Sequence, residues 1–178
     1  ILEAGNTVVR AFWQAGVISI SLIAVILIIV LRRFRDVVLV FIPLTLAALL
    51  TVAASVIFNL PFNFANVIVL PLLFGLGVAG GIHLVVREHE VSGGADKPGE
   101  AAGVMDTSTP RAVLFSALTT IGSFGSIALS SHPGTSSMGV LLTIAITLSL
   151  GCTLVVLPAL MTVTGNKAPR VQGVTDKP

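Results

Sequence analysis

Charge is what this chain has least of. Only 10% of its 178 residues are Asp, Glu, Lys or Arg, against about 25% in an ordinary soluble domain. Tyrosine is absent, and there is one tryptophan and one cysteine. A water-soluble globule so poor in charge would present large apolar patches and aggregate. That excludes a soluble enzyme, a disordered tail and a nucleic-acid-binding module. A lone cysteine excludes a disulfide within the chain, so we read Cys152 as a small core residue.

What is present is hydrocarbon, with a mean hydropathy of +1.03. Three stretches contain no Asp, Glu, Lys or Arg: Ala11 to Leu31, Val37 to Val86, and Ala112 to Asn166. A spanning helix needs about 20 mostly apolar residues. The first stretch fits one span. The second breaks at Asn59-Leu60-Pro61-Phe62-Asn63 and the third at Ser130-Ser131-His132-Pro133-Gly134-Thr135, both composed of turn-forming residues. The pattern predicts an all-α membrane protein with helices at about 12–31, 37–58, 63–87, 110–130 and 136–163.

Smaller signals fit that division. Thr109-Pro110 reads as N-cap followed by N1, and Gly165 as a C′ residue. Phe12 and Trp13 stand where an aromatic belt would anchor the first helix. Pro43, Pro71 and Pro158 fall inside spans, where neighbouring groups can satisfy the freed carbonyls.

Orientation follows from the basic residues. Arg32, Arg33, Arg35, Arg87, Lys97, Arg111, Lys167, Arg170 and Lys177 fall on one face, and only Arg10 on the other. The positive-inside rule places the linker 88–109 and the tail 165–178 in the cytoplasm, and the N-terminal end outside. We read residues 1–11 as the end of an outer, periplasmic segment and the chain as a piece of something longer.

Catalytic machinery is not expected. His89-Glu90 starts like a HExxH zinc motif, but position 93 is glycine. Glu88, His89 and Glu90 could hold a metal, although a solvated helix end accounts for them as well. We expect no catalytic residue, no metal and no cofactor.

The residues that invite a role lie in the third and fourth helices. Gly75 with Ala79, and Gly77 with Gly81, are i,i+4 pairs, with Gly80 between them. Small residues at that spacing let two helix backbones approach closely. They serve either as plain packing contacts or as a thin helix facing a moving partner. Gly122 and Gly125 extend the packing set to the fourth helix. His83 is the one imidazole clearly within a span, and histidine changes charge near neutral pH. In the fourth helix Ser116, Thr120 and Ser123 share a face, with Thr119 beside it. Such hydroxyls either bond within the bundle or form a track that passes protons. His83, Thr119, Thr120 and Ser123 are the relay candidates.

Two strings resemble a known family. One is Gly75-Leu76-Gly77-Val78-Ala79-Gly80-Gly81-Ile82-His83-Leu84 with Arg87-Glu88 after it. The other runs from Ser116-Ala117-Leu118-Thr119-Thr120-Ile121-Gly122-Ser123-Phe124-Gly125-Ser126 to Ser131-His132-Pro133-Gly134. Both are similar to RND-superfamily transporters, a group that includes the large membrane proteins of mycobacterial lipid export. The fourth-helix string is most similar to the hopanoid-biosynthesis-associated members.

The resemblance covers about residues 12–164. It implies the last five helices of a pseudo-symmetric twelve-helix inner-membrane domain that uses the proton gradient to export hydrophobic lipids, here hopanoids. It implies as partners the lipid cargo, membrane lipids, the N-terminal half and periplasmic domains of the same protein, and a possible homodimer. Many relatives carry an Asp-Tyr pair for proton coupling, and the matching positions here are Ala79 and Gly80. The carboxylate must then come from the other half. A sterol-sensing-type bundle that binds lipid to regulate, without pumping, is the alternative.

Overall fold

The computed structural model describes residues 2–60, 63, 67–93 and 108–165. They form α1 (Leu2–Leu31), α2 (Phe34–Ile57), α3 (Val69–Gly93), α4 (Thr109–Ala128), α5 (Pro133–Gly151) and α6 (Leu157–Gly165). One π-helical turn, Cys152–Val156, joins α5 to α6, so the last two helices make one continuous rod. No strand occurs among the described residues. Five segments are long and apolar enough to cross a membrane: Arg10–Leu31, Phe34–Ile57, Val69–Glu90, Thr109–Ala128 and Pro133–Thr164.

Several helix ends differ from the sequence expectation. α1 is helical from Leu2. Its 30 residues measure about 45 Å at 1.5 Å per residue, longer than the ~30 Å of hydrocarbon. The stretch expected to precede the span is therefore part of the same helix. α3 begins at Val69, not 63, and runs to Gly93, not 87. The late start puts Pro71 in the first turn, where its missing N–H costs no helical bond. The late finish is supported by an Arg87–Glu90 ion pair of 2.8 Å at helical i,i+3 spacing. α5 starts at Pro133 rather than 136, with His132 as its N-cap, the usual place for a helix proline. Ser108, not Thr109, caps α4. The linker from 94 to 107 and the tail from 166 lie outside the described residues.

The turns show why the chain reverses where it does. α2 closes in a Schellman motif. Leu60 N–H donates to Ser55 O at 2.8 Å and Asn59 N–H to Val56 O at 3.2 Å. Asn59 sits at φ 51, a left-handed position that asparagine tolerates. Arg32 takes a similar conformation at φ 54 and lets α2 restart only two residues after α1 ends.

The most buried rod is α5–α6, flanked by α2 and α3; α1 and α4 are peripheral. One core cluster joins Leu27 and Leu31 of α1, Val40 and Leu44 of α2, Leu84 of α3, and Leu157 and Met161 of α6. The other joins Ala47 of α2, Val69 and Leu73 of α3, and Leu141, Leu142 and Ala145 of α5. Cys152 is buried in the second cluster. The π-turn lies just before Pro158. In a regular helix that ring would collide with the Leu154 carbonyl. Widening the preceding turn, so that Leu157 N–H reaches back to Cys152 O, relieves the collision.

Candidate functional site

A cavity of about 450 Å³ opens between α3, α4 and the α5 rod. Its walls are small: Gly75, Gly77, Ala79 and Gly80 from α3, and Ala112 and Ala117 from α4. Its polar groups come from three helices: His83 of α3, Thr109, Ser116 and Thr120 of α4, and Ser149 of α5 with Thr153 of the π-turn. No Asp, Glu, Lys or Arg among the described residues lines it.

The hydroxyls divide into two sorts. Thr119 donates to Phe115 O at 2.9 Å, Thr120 to Ser116 O at 2.9 Å, and Ser123 to Thr119 O at 3.0 Å. Each spends its proton on its own helix, as isolated Ser and Thr do in apolar surroundings. Ser116, Ser149 and Thr153 make no side-chain hydrogen bond among the described residues. Their donors remain available to whatever enters the cavity. Of the four relay candidates, His83 and Thr120 reach the cavity, whereas Thr119 and Ser123 are exposed and do not line it.

The small residues also divide. At Gly77 an added Cβ would collide with the Leu44 side chain and stand 2.6 Å from Ser149 Oγ. At Gly80 it would meet Val113 Cγ1 at 3.2 Å, and at Gly81 Val40 Cγ1 at 2.8 Å. These three set the approach of α3 to α5, α4 and α2. Gly75 and Gly122 face open space, and Gly125 has only an ordinary contact with Thr143. A β-carbon at Gly75 or Gly122 would meet no other helix within 4 Å.

One glycine does not follow from residue spacing. A Cβ at Gly139 would run into the backbone of Ala128 and Ile127, and the Ser136 hydroxyl donates to Ala128 O at 2.7 Å. Together they pin the outer end of α4 onto α5. The sequence offers a glycine between Met138 and Val140 near a helix start, with no second glycine or alanine at i+4 to mark it.

The described carboxylate with most burial is Asp36, in the first turn of α2 and 6% exposed. His89 Nε2 is 3.4 Å from Asp36 Oδ2 and 3.4 Å from a guanidinium nitrogen of Arg33. That carboxylate oxygen has no hydrogen bond. The imidazole nitrogen can accept from Arg33 or donate to Asp36, one at a time. His89 thus turns toward α2, while Glu90 turns to Arg87. Hydropathy and charge patterning do not single out Asp36, which follows three arginines in the sequence. Its position facing α3 removes it from water.

Residues 8–176 match the MMPL family. The chain is 44% identical over 161 residues to a hopanoid transporter, HpnN, of Rhodopseudomonas palustris (strain TIE-1), covering 90% of this chain and 18% of that protein. It is 43% identical over 161 residues to the HpnN hopanoid transporter of Burkholderia multivorans (strain ATCC 17616 / 249), covering 90% of this chain and 17% of that protein. The chain therefore spans less than a fifth of the length of the relatives it matches. Both relatives are named as transporters and neither as an enzyme. With five membrane-spanning helices and a family match over nearly its whole length, the chain belongs to the MMPL family of RND-type membrane proteins.

Proposed function

We propose that this chain is the membrane portion of a proton-motive-force-driven exporter that carries hopanoid-type lipids from the bacterial inner membrane toward the outer membrane. The reading is supported by the relatives, which are named hopanoid transporters. The observation that carries the proton part is the cavity itself. It joins one imidazole, His83, to unspent hydroxyls on two other elements, Ser116 and Ser149–Thr153. Such groups can order water and pass protons, and ionisable groups at membrane depth are costly unless used.

Among the described residues no carboxylate lines that cavity. Ala79 and Gly80 line it instead. The proton-binding carboxylate therefore belongs to the other half of the same protein, which packs over the uncovered sides of α3 and α4 about a pseudo-twofold axis. Proton binding there tilts helices over the close contacts at Gly77, Gly80 and Gly81, and the periplasmic domains change their hold on the lipid. In this arrangement the N-terminal end of α1 is periplasmic, and the Arg32–Arg35 turn, the 88–109 linker and the tail are cytoplasmic. Each proton returning inward supplies roughly 2.3 kcal/mol per 100 mV.

The test is hopanoid transfer by the full-length protein in proteoliposomes under an imposed proton gradient. Transfer that collapses with an uncoupler supports the reading. Transfer indifferent to the gradient removes the proton coupling. The absence of charge around the cavity favours one other reading, a lipid-binding regulatory bundle without pumping. Saturable hopanoid binding with no net transfer would be its signature.

A further inference from the structure

A second groove lies between α1 and α2. It encloses about 520 Å³ and is lined by Ala24 and Ile28 of α1 and by Phe34, Val38, Phe41, Ile42 and further residues of α2 as far as Leu49. Thr45 is its one polar lining residue. From Phe34 to Leu49 the helix advances about 22 Å, more than the ~15 Å of hydrocarbon in one leaflet. The groove is thus long enough for an acyl chain through the whole depth of a leaflet.

One end of the groove carries charge of one sign. The turn between α1 and α2 presents Arg32, Arg33 and Arg35, all exposed. Arg33 is engaged with His89. Arg32 and Arg35 make no ion pair among the described residues. The nearest acidic residue in sequence, Asp36, is buried toward His89 and does not neutralise them. Arg32 is held at φ 54, which makes this turn a tight two-residue reversal at the mouth of the groove. Phe34, 76% exposed, lies in sequence between Arg32 and Arg35 and also lines the groove.

We infer that the α1–α2 groove binds an anionic phospholipid, with an acyl chain along Phe34–Leu49 and its phosphate on Arg32 and Arg35. Charge complementarity selects the occupant. Guanidinium groups recognise phosphate oxygens in a bidentate manner, and basic residues at the cytoplasmic surface attract anionic headgroups. A neutral hopanoid or an uncharged protein helix would leave both arginines unanswered. This lipid is structural or regulatory and is distinct from cargo, so the site does not depend on the proton-coupling reading.

The experiment counts lipids retained by the purified full-length protein in detergent, by native mass spectrometry. Phosphatidylglycerol and phosphatidylcholine of identical acyl chains are offered in equal amounts. Phosphatidylglycerol should be retained preferentially. Each arginine removed should weaken that retention about fivefold, the worth of one juxtamembrane cation. Arg35→Gln and Arg32→Asn are suitable, since asparagine accepts the left-handed backbone at position 32. Ile42→Trp fills the groove with the arginines intact and should abolish retention of the same lipid. In wild-type protein, raising salt to half molar should release phosphatidylglycerol, a readout that needs no variant. Equal retention of the two lipids, or preference unchanged by salt and by all three substitutions, overturns the proposal. So does displacement of phosphatidylglycerol by equimolar neutral hopanoid.

Discussion

Gly77 and Ser149 face each other across the α3–α5 contact with no room for a methyl group between them. A β-carbon at 77 would stand 2.6 Å from the Ser149 hydroxyl and would also strike the Leu44 side chain. The same glycine lines the cavity that holds His83. One backbone position therefore sets both the helix approach and the width of the polar space beside it.

Gly77→Leu should cost at least the 1–3 kcal/mol typical of overpacking and lower the thermal midpoint of the detergent-solubilised protein. Gly77→Ala should be milder, because both obstructing atoms are side-chain ends that can rotate. Equal midpoints for wild type and Gly77→Leu would show that α3 and α5 do not meet here.

Gly139→Ala should be worse than Gly77→Ala despite adding the same single carbon. The obstruction at 139 is the α4 backbone at Ala128 and Ile127, which cannot rotate aside. We expect a loss of about 1–3 kcal/mol and faster proteolysis of the α4–α5 turn. A melt matching that of wild type would sink this contact.

On the proposed function, in which His83 takes part in proton movement, His83→Ala should shift the pH profile of hopanoid transfer by the full-length protein. Ser149→Ala combined with Thr153→Val should lower the rate without moving the profile, since those hydroxyls do not titrate in this range. An unmoved profile in His83→Ala takes the imidazole out of the cycle.

His89→Ala should destabilise the α2–α3 junction by about 1 kcal/mol, because it removes the imidazole that stands 3.4 Å from the buried Asp36 carboxylate. Removing a partner from a fully buried pair costs more, but the His89 side chain is 40% exposed and water screens part of the effect. Asp36→Asn in the His89→Ala background should recover stability. A double variant no more stable than His89→Ala would deny the coupling.

The five spans were legible because hydrocarbon imposes a length and forbids charge, and both leave marks that a sequence shows directly. Pro133 and Asn59 marked their turns for equally local reasons. The site was only half legible. Helical periodicity put Ser116, Thr120 and Ser123 on one face, of which Ser116 and Thr120 line the cavity, but it cannot tell which hydroxyl spends its proton on its own carbonyl. It also cannot say which side of α4 is covered, and so it did not separate Thr119 and Ser123, which do not line the cavity, from Thr120, which does. Gly139 and Asp36 went unseen because their importance lies in what another helix places opposite them. The π-turn was invisible, since hydropathy carries no record of backbone register. Pro158 hinted at a kink and nothing finer.

That turn has a mechanical consequence. With more residues per revolution than the segments on either side, Cys152–Val156 lets the two halves of the rod keep independent rotational phase. The upper half is keyed to α4 through Gly139, and the lower half to α1 and α2 through Leu157 and Met161. Were the surplus residue absorbed into regular winding, the lower half would swivel by about 100°. Leu157 and Met161 would leave their socket, and an axial push at one membrane face would emerge as torsion at the other.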